Sequence, residues 1–246
     1  MIDLYSANTP NGKKISIMLE EIGFDYKVIK VDINNGEQFK DEFKKISPLS
    51  KIPVIIDHKN NKTVFESGAI LIYLAELSGK FYNSEERLEI NQWLMAQMGY
   101  VGPMLGQHHQ FHHYNPGKSK FGEDRYFKIS KRIYKELDER LSKSKYLSGD
   151  NYTIADIGTF PWIARHEWHD IGLKNYKNLT RWYEEISKRD FVKSSNNPQN
   201  LVTLASSKGA STSSKTHIGE GFTKNTANIS DKAVNACSPP DNKVID

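Results

Sequence analysis

Two periodicities divide this 246-residue chain, and their order constrains its fold more than any single residue does. In the first part, short alternating segments bracket a helical one. Ile2 and Leu4 alternate with Asp3 and Tyr5, a turn-and-cap cluster runs from Ser6 to Gly12, and Ile15, Met18, Leu19 and Ile22 then recur at i, i+3, i+4 and i+7 before Gly23. Tyr26 to Val31 reads as a second strand and Gln38 to Lys45 as a short helix before Ser47-Pro48. Val54 to Ile56 and Thr63 to Phe65 read as two more strands around a polar turn, and the run after Ser67 as a helix closed by Gly79. Strand, helix, strand demands a parallel pair with a crossover, while two strands joined by a short polar turn demand an antiparallel hairpin. This order predicts an α/β thioredoxin-like domain over residues 1–79.

Beyond an aperiodic linker at 80–86, every apolar pattern is helical. Ile90, Trp93, Leu94, Gln97, Met98 and Val101 form one set, Tyr126, Ile129, Ile133, Tyr134, Leu137 and Leu141 another. Ile154, Ile157, Phe160 and Ile163 form a third, and Leu179, Trp182, Tyr183 and Ile186 a fourth. Residues 87–193 are therefore expected to form an all-α C-terminal helical bundle. Thr153 and Asp156 are spaced as a capping box, with Tyr152 as its apolar staple. From 194 to 246 the composition turns to Ser, Thr, Asn, Lys and Gly, with Phe222 the one aromatic residue, which predicts a disordered tail with at most a short helix near Leu201 to Ala205.

Composition excludes several function classes. The net charge of +4 is spread over amphipathic helices and not gathered in arginine-rich blocks, so no nucleic-acid partner is expected. No apolar run reaches membrane-spanning length, and Met1-Ile2-Asp3 enters a strand without a basic, then apolar, leader; the expectation is a cytoplasmic protein with no membrane partner. A single cysteine, Cys237, excludes an internal disulfide framework and a two-cysteine redox centre. If the protein handles disulfides, the thiol arrives with a ligand.

The chemistry-bearing positions cluster in the first part. Ile52-Pro53 puts a residue that cannot donate to a β-ladder at a strand edge, which leaves backbone groups free to pair with a bound peptide. Glu66-Ser67 stands at a helix start, where Ser67 is expected to cap and the free N–H groups favour a carboxylate. One small charged peptide satisfies both, and glutathione fits: an amine for Glu66, an α-carboxylate for the Ser67 terminus, and a cysteinyl backbone for Ile52.

These residues carry a family resemblance. The thioredoxin-like half with Ile52-Pro53 and Glu66-Ser67, joined to helices bearing Thr153 and Asp156, resembles a glutathione transferase over about residues 1 to 193. Thr9-Pro10-Asn11-Gly12, Ile46-Ser47-Pro48 through Pro53, Phe65 to Ile70 and Gly102 to Gln107 are more narrowly similar to the bacterial Nu-class enzymes, which act mainly as glutathione-dependent disulfide-bond reductases and are themselves similar to a yeast nitrogen regulator. The resemblance implies that Thr9 and Asn11 are catalytic and face the sulfur of glutathione, a cosubstrate. It implies that Glu66 and Ser67 hold the γ-glutamyl end, that Ile52 pairs with the cysteinyl part, and that Lys51 and Gln38 meet the glycyl carboxylate. It implies a homodimer in which Arg132 of the neighbouring subunit reaches the ligand, and a small disulfide as second substrate.

The mechanism expected is thiolate stabilisation. A thiol of pKa about 8.5 is mostly protonated at neutral pH, yet the thiolate attacks. The Thr9 hydroxyl, the Asn11 amide and the amino end of the first helix all direct positive charge at one place. Two alternatives remain open: a glutathione-conjugating transferase or peroxidase, and a non-catalytic glutathione-binding regulatory module. Tyr5 is read as structural. His108, His109, His112 and His113 share helical faces in pairs but lack a nearby Cys or acid, so no metal is expected; they are read as lining a substrate cleft. Trp93, Trp162, Trp168 and Trp182 are read as core, with the stretch Trp162 to Arg165 shaping a second pocket.

Overall fold

The computed structural model describes residues 1–190 and Val192. The expected tail at 194–246, its short helix and Cys237 lie outside those residues. Strand β1 (Ile2–Ser6) leads into helix α1 (Pro10–Ile22), which Thr9 caps by accepting from Gly12 N–H at 3.1 Å and which Gly23 ends in the left-handed region at φ 75°. Strand β2 (Tyr26–Lys30) returns parallel to β1, with Ile2 opposite Tyr26. Strands β3 (Val54–Asp57) and β4 (Lys62–Phe65) form the antiparallel hairpin, β3 also pairing antiparallel with β1. The sheet order is β2-β1-β3-β4, and α3 (Ser67–Ser78) follows.

Three details depart from the sequence reading. The single helix expected at 38–45 is instead the end of an isolated turn at Glu37–Phe39 and a one-turn helix α2 (Asp41–Lys44), with another turn at Ile33–Asn35 before them. Lys40, in an extended conformation, separates the two pieces. Second, β3 is an interior strand, so Pro53 does not sit on a sheet edge. It precedes the first residue of the ladder, where its missing N–H costs no hydrogen bond, and the free backbone at Ile52 belongs to a strand end. Third, the helical pattern beyond residue 87 is one bent rod: α4 (Arg87–Ala96), a π-helical turn at Gln97–Val101, α5 (Gly102–His108) and a second π-helical turn at His109–Tyr114. Wide turns of this kind re-aim side chains and are frequent at functional sites.

Helices α6 (Lys120–Leu141), α7 (Ile154–Ile163) and α8 (Lys177–Ser187) complete the described bundle. All ten residues of α7 are buried, and the helix packs against α1, α3 and α4. One apolar cluster therefore runs from Leu4, Ile15 and Met18 through Leu71 and Leu94 to Ile157, Phe160 and Trp182. The Thr153/Asp156 capping box is present. Asp156 accepts from Thr153 N–H at 3.0 Å, Thr153 O–H at 3.2 Å, Leu147 N–H at 3.0 Å and Trp182 Nε1–H at 2.8 Å. Burial raises its pKa to about 6 against those four donors, so the carboxylate stays ionised at neutral pH. Tyr152 packs edge-on to Phe81, and the Arg189 guanidinium lies 4.1 Å over its ring. Arg189 in turn grips Glu21 of α1 with two nitrogens, at 2.5 and 2.7 Å.

Replacing Asp156 by Asn keeps one side-chain oxygen and turns the other into an NH2, so two of the four donors lose their acceptor and meet a donor instead, in a place sealed from water. The substitution is expected to cost about 2 kcal/mol or more, measured by urea unfolding; a loss under about 0.5 kcal/mol would show that the donors find other partners.

Candidate functional site

The amino end of α1 forms one wall of a cleft between the sheet layer and the bent helical rod. Gly12 is required there, because a Cβ at that position would collide with the Ala7 carbonyl oxygen and Ser6 Oγ. Thr9 Oγ1 is engaged as acceptor by Gly12 N–H, which leaves its own hydroxyl hydrogen uncommitted. Asn11 Oδ1 accepts from Trp162 Nε1–H at 3.2 Å, so the indole fixes the side chain by its oxygen and frees the amide NH2 as a donor. The positive end of the α1 dipole adds to both.

The opposite wall comes from the chain around β3 and α3. Ser47 Oγ accepts from Lys51 N–H at 3.0 Å and donates to Lys51 C=O at 2.7 Å, which fastens the loop; Ser50 takes φ 55° and the Ile52–Pro53 peptide is cis. Gln38 is buried, donating to Ile33 C=O at 3.3 Å while its Oε1 has no partner. Glu66 is exposed and held at φ 70°, a conformation that a residue with a Cβ adopts at a cost of about 1–3 kcal/mol. The expectation that Ser67 caps α3 is corrected: Glu66 occupies the cap position without a side-chain bond, and Ser67 is the first helical residue. Its hydroxyl points away from the helix end to Lys14 Nζ at 3.2 Å and Met98 Sδ at 3.6 Å.

Three cavities, of about 540, 260 and 120 Å³, follow these walls, and Asn11 and Lys51 line all three. Glu66 and Ser67 line the largest and the smallest, Ile52 the two smaller ones, and Thr9 and Gln38 the one that opens toward Tyr114 and Arg165. Seven of the eight residues singled out in the sequence thus meet in one cleft. Arg132 does not. It lies exposed on α6, where its Nη2 donates to Tyr100 Oη at 2.6 Å and its Nε stands 3.7 Å from Glu136.

The histidines divide. His109 lines the cleft and stacks on Trp162 with ring centroids 6.0 Å apart, burial holding it neutral with a pKa of about 3. His108 is buried behind it, His112 stacks on His108 at 4.8 Å, and His113 stacks on Trp168 at 4.3 Å. Only Trp182 is pure core. Trp162 is nine-tenths buried yet faces the cleft, Trp168 is 40% exposed under the Arg165 guanidinium at 4.5 Å, and Trp93 is half-buried. Tyr5 packs edge-on to Phe43, outside the cleft lining.

Sequence reasoning missed Lys14. It is 1% exposed, donates to Gln97 Oε1 at 2.7 Å and Ser67 Oγ at 3.2 Å, and lies 3.7 Å from Met98 Sδ. The signal was present: Lys14 precedes Met18 and Ile22 at i, i+4 and i+8 on the buried stripe, a place where a lysine needs a reason. Gln97 carried the same signal three residues after Leu94.

Comparison with known proteins matches this arrangement. The family model described as glutathione S-transferase, N-terminal domain, matches residues 1–76, and that of the glutathione S-transferase C-terminal domain matches residues 105–190. The disulfide-bond oxidoreductase YfcG of Escherichia coli (strain K12) is 46% identical over 196 residues, covering 77% of this chain and 91% of that protein. A glutathione transferase from Burkholderia graminis, solved with two glutathione molecules bound per subunit, superposes with a TM-score of 0.74 at 38% identity, covering 81% of this chain and 87% of that one. One from Pseudomonas putida, solved with one glutathione disulfide per subunit, gives 0.73 at 38% identity over 81% and 90% of the two chains.

The left-handed backbone at Glu66 carries a local conformational cost that a glycine would not. Glu66→Gly is expected to leave stability unchanged or raise it by up to about 1 kcal/mol in urea unfolding, while weakening ligand binding by more than tenfold in calorimetry; a destabilised variant would show that the conformation is relaxed.

Proposed function

The chain belongs to the glutathione S-transferase family, and from that premise we propose that it is a glutathione-dependent disulfide-bond reductase that works through the thiolate of bound glutathione. The observation that carries this reading is the pairing of two uncommitted donors, Thr9 O–H and Asn11 NH2, with the positive end of α1 on a wall that the whole cleft shares. The relative whose name states disulfide-bond oxidoreduction and the related structures bound to glutathione and its disulfide support it. The sequence has one cysteine, Cys237, so the reactive sulfur of the cleft is the ligand's.

In the proposed pose Glu66 takes the ligand's amine, Ser67 and the amino end of α3 its α-carboxylate, the Ile52 backbone its cysteinyl amide, and Lys51 with Gln38 its glycyl end. The sulfur then lies between Thr9 and Asn11. Stabilising the anion by one or two pKa units requires about 1.4 to 2.7 kcal/mol, within the reach of two hydrogen bonds and a helix end. The thiolate attacks one sulfur of the disulfide substrate, forming a mixed disulfide and expelling the other sulfur as thiolate, which takes a proton from solvent. A second glutathione thiolate attacks the glutathionyl sulfur of that mixed disulfide, releasing glutathione disulfide and the second product thiol. Two thiols are oxidised and one disulfide is reduced.

The second reactant fits the cavity between Thr9, Tyr114, Trp162 and Arg165. Arg165 is held there by stacking on Trp168 and by donating to Asn8 C=O at 3.4 Å, so the cavity presents a fixed cation to an anionic disulfide. We place the protein in the cytoplasm, where reduced glutathione is available, and as a homodimer. Arg132, outside the cleft of its own chain, then serves the cleft of the neighbouring subunit.

Two measurements test this. Glutathione-driven reduction of hydroxyethyl disulfide should far exceed conjugation of a chloronitrobenzene, and Thr9→Ala with Asn11→Ala should lower the reduction by about ten- to a hundredfold. Wild type that binds glutathione but shows neither activity would make the protein a binding module, and dominant conjugation would make it a conjugating transferase. Arg165→Met should raise KM several-fold for glutathione disulfide and leave it unchanged for neutral hydroxyethyl disulfide; equal effects on both would remove the charge argument.

A further inference from the structure

Lys14 is an ammonium group without a counter-ion. Its partners are a hydroxyl, an amide oxygen and a thioether, and it is enclosed by α1, the start of α3 and the π-helical turn at Gln97–Val101. Gln97 spends its oxygen on Lys14, and its Nε2, buried and lining the same cavity, has no partner. Two buried donors therefore face a cavity behind Ser67, and among the described residues no carboxylate pairs with Lys14; Glu66 acts on it only from a distance. A buried charge in this state is stabilised by an anion from outside.

Resting on the reading of this cleft as a glutathione site, we propose that Lys14 is a positioning residue that takes up a proton when a ligand carboxylate settles on Ser67, so that glutathione binding and Lys14 protonation are one coupled event. Lys14 acts through Ser67: its ammonium holds the Ser67 oxygen as an acceptor, so the Ser67 O–H hydrogen, which rests on the weak acceptor Met98 Sδ at 3.6 Å in the free protein, can move to the incoming carboxylate, whose charge lies a few ångströms beyond.

The electrostatics sets the direction. Burial pulls the Lys14 ammonium down to about 7 in the free protein, against a smaller upward pull from Glu66. Glu66 and Lys51 are the charged groups on the sheet-side rim, and Lys13 is its neighbour on α1; the rod and α7 face the cavity with the neutral Gln97, Met98, Gln107 and Trp162. His109, beyond Trp162, has a pKa of about 3 and does not titrate near neutrality. A carboxylate within about 4–6 Å raises an ammonium's pKa by about 1–3 units. Since the ligand prefers the protonated form, affinity is full below about pH 7 and falls above it, until the pKa of the complex is passed. With a rise of about two units, binding at pH 7.5 takes up roughly 0.7 proton, and affinity drops about tenfold between pH 6 and pH 8.

The probe is S-methylglutathione, whose blocked thiol contributes no proton of its own, and the range stops at pH 8, below the titration of its amine. Calorimetry of the full chain in buffers of different ionisation enthalpy is expected to give that uptake and that pH dependence for wild type. Lys14→Met is expected to bind at least tenfold more weakly at pH 6.5, with no uptake and a flat profile. Lys14→Arg, charged at every pH, is expected to bind without uptake. A merely structural lysine would lower the melting temperature in these variants and leave the protons taken up per bound ligand unchanged. Wild type that binds with no buffer-dependent heat and equal affinity at pH 6 and 8, or either variant that keeps the uptake, overturns the proposal while leaving the cleft a glutathione site. Wild type that does not bind the probe overturns both. If Lys14→Met does not fold, wild type and Lys14→Arg decide alone.

Discussion

The buried carboxylate of Asp156 organises more of this molecule than its distance from the cleft suggests. It fixes the first turn of α7 through Thr153, pins the preceding loop through Leu147 and docks α8 through Trp182. Helix α7 then has a defined start and, six residues on, delivers Trp162 to Asn11. At 1.5 Å per residue that is about 9 Å of rigid, fully buried helix. A cap on one side of the bundle therefore sets the orientation of an amide on a different structural layer. The Glu21–Arg189 pair ties the far end of α1 to the same bundle, so α1 is anchored at its tail by charge and at its head by the indole. Freedom at either end would blur the geometry of the two donors proposed to converge on the sulfur.

Most of the architecture was legible because it rests on period and punctuation. Four strands, the crossover, the hairpin and the long helices follow from the spacing of Ile, Leu and Val between Gly and Pro, and Gly23 and Gly79 end their helices in the left-handed conformation as such signals imply. The cleft residues of the first 80 positions were legible for a different reason: Thr9, Asn11, Gln38, Lys51, Ile52, Glu66 and Ser67 all lie at element ends or in loops, where polar groups are unspent and a resemblance could be carried over position by position.

The failures share a cause as well. Pro53 was read as an edge residue because a missing N–H tells that the ladder is not needed there, and it cannot tell whether the strand has neighbours on both sides. Ser67 was read as a cap from its place before an apolar run, but the helix begins one residue early, since Glu66 accepts a left-handed backbone that no propensity predicts. Lys14 and Gln97 were absorbed into apolar stripes, because a stripe is recognised by its majority. What they do depends on a contact between residues 83 positions apart, and period carries no such information.

The distribution of charge in the cleft follows the chemistry proposed for it. In the proposed pose the groups assigned to the sulfur are neutral donors, a hydroxyl and an amide, and the cations are assigned to other parts of the reactants: Lys14 behind Ser67, Lys51 at the glycyl end, Arg165 at the second reactant. A cation against the sulfur would deepen the fall in its pKa, and a thiolate loses nucleophilicity as its pKa falls; the best attacking thiol in disulfide exchange has a pKa near the ambient pH. Two neutral donors and a helix end supply a moderate shift, enough to populate the anion and too little to make it inert. The carboxylate ends of the ligand take part in no bond change, so full charges there strengthen binding and leave the reactivity of the sulfur alone. Giving the full charges to the ends of the ligand and only neutral donors to the sulfur would, in this pose, separate affinity from nucleophilicity and let the same cleft hold two anionic thiols in turn without trapping either.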